Sequence, residues 1–164
     1  MKVLGIDPGT AVLGYGVVES APGRPGRLVE CGVLRTRAGA PLHRRLRVVH
    51  DGVAGLIARH APDALAVEAA FHARNARTTM VLSHARGVIL LAADEAGLEI
   101  GEYSPTAVKK AITGRGEAQK SQVSHMLQQL LRLTTRPSPA DASDGVAIAL
   151  THLLAAPARR RRAG

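Results

Sequence analysis

The chain has 164 residues and carries 22 Lys+Arg against 13 Asp+Glu, a net charge of +9. That length supports one domain with a proper core, and the charge favours a polyanionic partner, nucleic acid before others. A single cysteine, Cys31, excludes an internal disulfide and a thiolate zinc cluster. No apolar run reaches membrane-spanning length, and Met1-Lys2 leads directly into a strand pattern rather than a signal peptide, so a soluble cytoplasmic protein is expected.

Residues 2–7 form an apolar strand stopped by the turn Asp7-Pro8-Gly9-Thr10. Residues 13–20 read as a second strand whose glycines allow close approach by another element. A Pro/Gly/Arg loop, Ala21 to Arg27, returns the chain into a third strand over about Leu28 to Thr36, completing an antiparallel meander. From Pro41 to about His60 the spacing turns helical, with Leu42, Leu46, Val49, Val53 and Leu56 on one stripe. Pro62-Asp63 break that helix and lead into a strand carrying Glu68. Residues 75–96 read as a helix apolar on more than one side, either central to the core or shared with a second subunit. Gly97 closes it and Leu98 to Tyr103 is a fifth strand. Ser104-Pro105 starts a short helix to about Thr113 by the cap-then-proline rule. Residues 117–133 form another helix, and Ser138-Pro139 begins the last, ending near Ala155. The order β-β-β-α-β-α-β-α-α-α describes an α/β protein with a five-stranded mixed sheet flanked by helices. Its first three strands are antiparallel, and helical crossovers bring the later ones in parallel. One ribonuclease-sized unit is not implied by length alone; one domain over 1–157 and a basic tail over 158–164, expected to be disordered, complete the organisation. The run Arg159 to Arg162 supplies four charges, and without it the balance is +5, so the tail alone does not make the chain basic.

Four carboxylates stand where they are hard to explain as ordinary surface groups. Asp7 ends one apolar strand and Glu68 interrupts another. Asp141 and Asp144 are three apart at the start of an apolar helix and share a face. Each has a plain alternative. Asp-Pro-Gly is a turn by itself, Asp141 fits a helix start capped by Ser138, and Asp144 suits a helix N-terminal dipole. Glu68 is the least excusable, since glutamate is depleted in strands. Buried unpaired charges are costly. If the fold gathers these four, oxygen-only ligation points to magnesium or manganese, and on so basic a chain to metal-assisted cutting of nucleic acid.

Gly5-Ile6-Asp7-Pro8-Gly9-Thr10, the Gly14-Tyr15-Gly16 segment, Glu68 followed by Phe71, Lys120-Ser121-Gln122-Val123 with His125-Met126, and Ala140-Asp141-Ala142-Ser143-Asp144 occur in that order. Together they resemble the RuvC family of crossover junction endodeoxyribonucleases, from residue 2 to about 155. The resemblance implies a ribonuclease H-like fold and a homodimer. It implies paired symmetric nicking of four-way (Holliday) junction DNA by two-metal hydrolysis, with two Mg2+ per site and Mn2+ able to substitute. It also implies service to a branch-migration complex, RuvA and RuvB, in recombination and repair. The family's metal ligands fall on Asp7, Glu68, Asp141 and Asp144, its aromatic at the junction on Phe71, and its DNA-contacting lysines on Lys109 and Lys120. Gly145 stands where relatives often carry alanine.

Beside the resemblance, Phe71 is the chain's single phenylalanine, in a polar basic stretch where stacking on bases competes with core packing. Arg74, Asn75 and Arg77 fit phosphate contacts, or an ordinary solvated helix start. The seven histidines show no metal-ligand spacing. His125 and His152 read as packing or surface residues. Two other classes stay open. A phosphate-binding ATPase-like domain of the sugar kinase and actin type shares an Asp-x-Gly-Thr motif but needs two such domains. A non-catalytic junction-binding module would keep the fold without the chemistry.

Overall fold

The computed structural model describes residues 1–69 and 76–162, with side chains through Ala156. Five strands, β1 (Lys2–Asp7), β2 (Val12–Ala21), β3 (Arg24–Arg35), β4 (Ala64–Glu68) and β5 (Glu99–Tyr103), form one sheet in the order β3-β2-β1-β4-β5. The β1–β2 and β2–β3 pairs are antiparallel, and β1–β4 and β4–β5 are parallel, as expected for a meander followed by two helical crossovers. The helices are α1 (Leu42–His60), α2 (Ala76–Glu95), α3 (Pro105–Thr113), α4 (Lys120–Leu131) and α5 (Ala140–Arg162).

Strand alternation sorts the core into two layers. Leu4, Ile6, Leu65 and Val67 point to one face and pack with Val49, Val53 and Leu56 of α1 and Ile89 of α2. Val3, Ala64 and Ala66 point to the other and pack with Val108 of α3, Leu127 of α4 and Ala149 and Leu150 of α5. Asp7 and Glu68 have the parity of this second set, so the sheet aims both toward α5. The β1–β4 register runs from Val3 opposite Ala64 to Ile6 opposite Val67, which places Asp7 and Glu68 at the same end of adjacent central strands.

Two helix boundaries differ from expectation for visible local reasons. Helix α4 starts at Lys120 rather than near residue 117, because Gln119 closes a capping box in which its N–H donates to Gln122 Oε1 at 2.8 Å. It stops at Leu131 because Arg132 takes a left-handed conformation, φ 53°. Helix α5 starts at Ala140, with the Pro139 carbonyl accepting from Ala142 and Ser143 N–H, and it runs on to Arg162, past the end expected near Ala155. Helix α3 begins as expected. Ser104 Oγ accepts from Ala107 N–H at 3.1 Å and Pro105 occupies its first turn, a cap worth about 1 kcal/mol.

Candidate metal centre

The site lies at the C-terminal ends of β1 and β4, where α5 crosses the sheet. Helix and sheet meet backbone to backbone. A Cβ on Gly16 would fall 2.6 Å from Val146 Cα, and one on Gly145 2.6 Å from Tyr15 Cα. No side-chain layer therefore separates α5 from β1 and β2, and the first turn of the helix is brought down to the strand end that carries Asp7. One carboxylate oxygen from each of Asp7, Asp141 and Asp144 lies within 4.8 Å of the other two.

Glu68 is outside that three-ligand group but faces the same cavity. The cavity holds about 480 Å³ and is lined by Asp7, Glu68, Lys109, Lys120 and Asp144, with Pro105, Val108 and Val123 as its apolar wall. Of the four carboxylates expected to act together, three are thus gathered at ligand spacing and the fourth stands across the opening.

Electrostatics record the crowding. Burial, then Glu68 and Asp144, push the Asp7 carboxyl up from the ordinary 3.8 to about 7, against an opposing pull from Lys120. Burial and then Asp144 also raise Glu68, again opposed by Lys120. Lys120 donates to Asp144 Oδ2 at 2.8 Å, and that bond raises the lysine's own pKa. A half-buried set of oxygen donors whose ionisation is resisted by its own members suits a hard divalent cation.

The loop that follows Asp7 is held from outside the site by residues to which the sequence assigned no role. Thr36 N–H donates to Ala11 O at 3.0 Å, and Thr36 Oγ1 donates to Thr10 O. Arg45 Nε of α1 reaches Thr10 O at 3.3 Å and Thr36 Oγ1 at 3.1 Å. Neither residue sits in a motif, and only the packing of α1 against the end of β3 brings them to the loop.

The other expected contacts divide by position. Lys109 on α3 and Lys120 at the start of α4 line the cavity. Arg77 is exposed in the first turn of α2. Phe71, Arg74 and Asn75 lie outside the described residues. His125 is exposed, and His152 is a core residue, 0% exposed, whose Nδ1 lies 3.1 Å from Tyr103 Oη.

A family model for "Crossover junction endodeoxyribonuclease RuvC" matches residues 3–152. The RuvC of Parafrankia sp. (strain EAN1pec) is 48% identical over 161 residues, covering 98% of this chain and 90% of that protein. Among solved structures, Thermus thermophilus RuvC superposes with a TM-score of 0.88 at 37% identity, covering 97% of both chains. T. thermophilus RuvC in complex with a Holliday junction substrate gives 0.87 at 35%, covering 96% of both. The shared architecture is the ribonuclease H-like fold expected from the order of elements.

Proposed function

The chain belongs to the RuvC family of crossover junction endodeoxyribonucleases, and from that premise we propose that it resolves four-way DNA junctions by paired symmetric nicks in recombination and repair. The observation that carries the proposal is the meeting of Asp7, Asp141 and Asp144 at ligand spacing, beside Glu68 in a cavity edged by Lys109 and Lys120.

Asp7, Asp141 and Asp144 would hold the metal, with Glu68 completing the set from β4. Asp7 is central among them and is the ligand best placed to be shared. Two magnesium ions held there, with manganese able to substitute, would lower the pKa of a bound water and stabilise the leaving 3′ oxygen. The protein's own part is to position and to neutralise. Lys109 and Lys120 set positive charge at the mouth of a carboxylate-lined cavity, which offsets the repulsion that a phosphodiester would otherwise meet there. Phe71, Arg74, Asn75 and Arg77 follow the Glu68 strand in the chain, and we assign them to the junction strands, Phe71 by stacking and the others by phosphate contact.

A homodimer fits both the two-fold symmetry of a four-way junction and the outer face of α1 and α2. There Met80 is 62% and Leu91 50% exposed, and with Leu46 and Val88 they line an open apolar groove of about 400 Å³. Family membership alone supports service to a RuvA–RuvB branch-migration complex and a cytoplasmic setting. Among the described residues, no helix is long and apolar enough to cross a membrane.

The test is incubation of a labelled four-way junction with a mobile core, using wild type and Asp7→Asn, in magnesium and in EDTA. Paired nicks from the magnesium wild type alone are expected. Tight junction binding without cutting under any metal would overturn the enzyme reading in favour of a binding module.

A further inference from the structure

Gly14 touches two carboxylate-bearing segments at once. On the β1–β2 ladder it is the register partner of Asp7. On the other side, a Cβ built on it falls 1.9 Å from the main-chain oxygen of Asp141 and 2.4 Å from its carbonyl carbon. Main-chain atoms cannot swing aside as a side-chain tip can. Any other residue would therefore have to lift the first turn of α5, moving that oxygen from 1.9 Å to the 3.4 Å of ordinary contact, a retreat of about 1.5 Å.

Nearby glycines act on a different part of the helix. A Cβ on Gly16 meets Val146, and one on Gly5 meets Gly145 and Ala149, all beyond the acidic pair. They seat the body of α5, whereas Gly14 sets the height of the turn that carries Asp141. Nor is Gly14 required for its conformational freedom, because the positive-φ glycines are Gly23, Gly39, Gly97 and Gly114. What Gly14 supplies is space.

We infer that Gly14 is a positioning residue of the metal centre, its missing side chain fixing the separation of the Asp7 and Asp141 carboxylates. This rests on the metal-site reading above. Magnesium makes the inference specific. It requires near-ideal octahedral geometry with bonds of about 2.0–2.1 Å, whereas calcium accepts flexible coordination at about 2.3–2.6 Å. A displacement of about 1.5 Å therefore penalises magnesium far more than calcium.

The experiment is thermal melting of the full chain, titrated separately with magnesium and with calcium, since an ion that binds the folded state raises the melting temperature by mass action. Wild type, Gly14→Ala and Leu127→Ala are compared. The last removes a core side chain on α4 that is 0% exposed and serves as a destabilised control. In Gly14→Ala the magnesium half-saturation is expected to rise about tenfold or more, in the range typical for groups that orient metal ligands, while the calcium value moves much less. Leu127→Ala is expected to lower the melting temperature with both half-saturations unchanged. Adding Asp141→Glu to Gly14→Ala, which lengthens the displaced carboxylate by one methylene, should recover part of the magnesium affinity.

A folded Gly14→Ala with the wild-type magnesium response, or with equal losses for both ions, would overturn the inference. A wild type that responds to neither ion would instead sink the metal-site reading beneath it. If Gly14→Ala does not fold, Asp141→Glu in the wild-type background displaces the same carboxylate from its own side. An unchanged magnesium response there overturns the inference as well.

Discussion

Lys120 and Asp144 join the first residue of α4 to the helix that carries two of the site's carboxylates, with Nζ 2.8 Å from Oδ2. The lysine side chain is 80% exposed, so the pair itself adds little stability, under about 1 kcal/mol. Its effect is on the site, where the ammonium holds down the pKa of both Asp7 and Glu68.

Lys120→Met is therefore expected to leave the melting temperature nearly unchanged and to lower junction cutting by roughly 10²-fold, the scale of a lost electrostatic contact to a reacting group. Junction binding in EDTA, measured across a salt series, should show a slope smaller by about one counterion. Cutting within about twofold of wild type, a negligible barrier change, would remove Lys120 from the site.

Asp7→Asn should make the metal-free protein more stable at alkaline pH. The folded carboxyl titrates at about 7 against an ordinary 3.8, so the folded state holds a proton that the unfolded state has released. The stabilisation is fully present below pH 3.8 and is lost as pH rises through about 7. Removing the charge should raise stability in EDTA at pH 8 by on the order of 2–4 kcal/mol, and the gap should close as pH falls toward 4. Added magnesium should reverse the order, stabilising wild type and not the variant. Melting curves at the two pH values, with and without the ion, check both signs.

Arg45→Ala removes the guanidinium that holds Thr10 O and Thr36 Oγ1. A loss of about 1.5–3 kcal/mol is expected for a charge-assisted hydrogen bond, with a weaker magnesium response because the turn after Asp7 is freed. Arg45→Lys, which lacks the planar fork, should rescue only partly. Denaturant melts with and without magnesium separate the two effects.

Leu91→Glu places a charge in the apolar groove between α1 and α2. If two copies meet on this face, the variant should have half the wild-type mass by light scattering at micromolar concentration, while keeping its magnesium-induced rise in melting temperature. A wild type that is monomeric yet makes paired nicks would dispose of the dimer.

Much of this arrangement was legible in the sequence, for reasons that differ by residue. Asp7 and Glu68 stood out because each breaks an apolar strand, and strand parity then fixed the face to which both point. The Ser104-Pro105 start of α3 was readable because a cap and a proline are local signals. The start of α4 was missed because glutamine is a weaker N-cap signal than serine, and Gln119 acts only through its partnership with Gln122. Thr36 and Arg45 carried no signal, since their bonds to the turn after Asp7 depend on how α1 lies against the end of β3. The glycines of β2 were readable as a place of close approach. That the approaching group is the main chain of Asp141 is a tertiary fact.

The direct contact of α5 with β1 and β2 also determines where the molecule opens last. Leu4, Val17 and Leu150 are 0% exposed on the elements that meet there, and backbone packed on backbone leaves water no path to their amides. In native-state hydrogen exchange these amides should report the global unfolding free energy, while the ends of α2 and the turn at Gly39 exchange through local fluctuation. Asp7, Asp141 and Asp144 are thus mounted on the slowest-exchanging unit of the fold, so their carboxylates should remain assembled through excursions that loosen the rest of the chain.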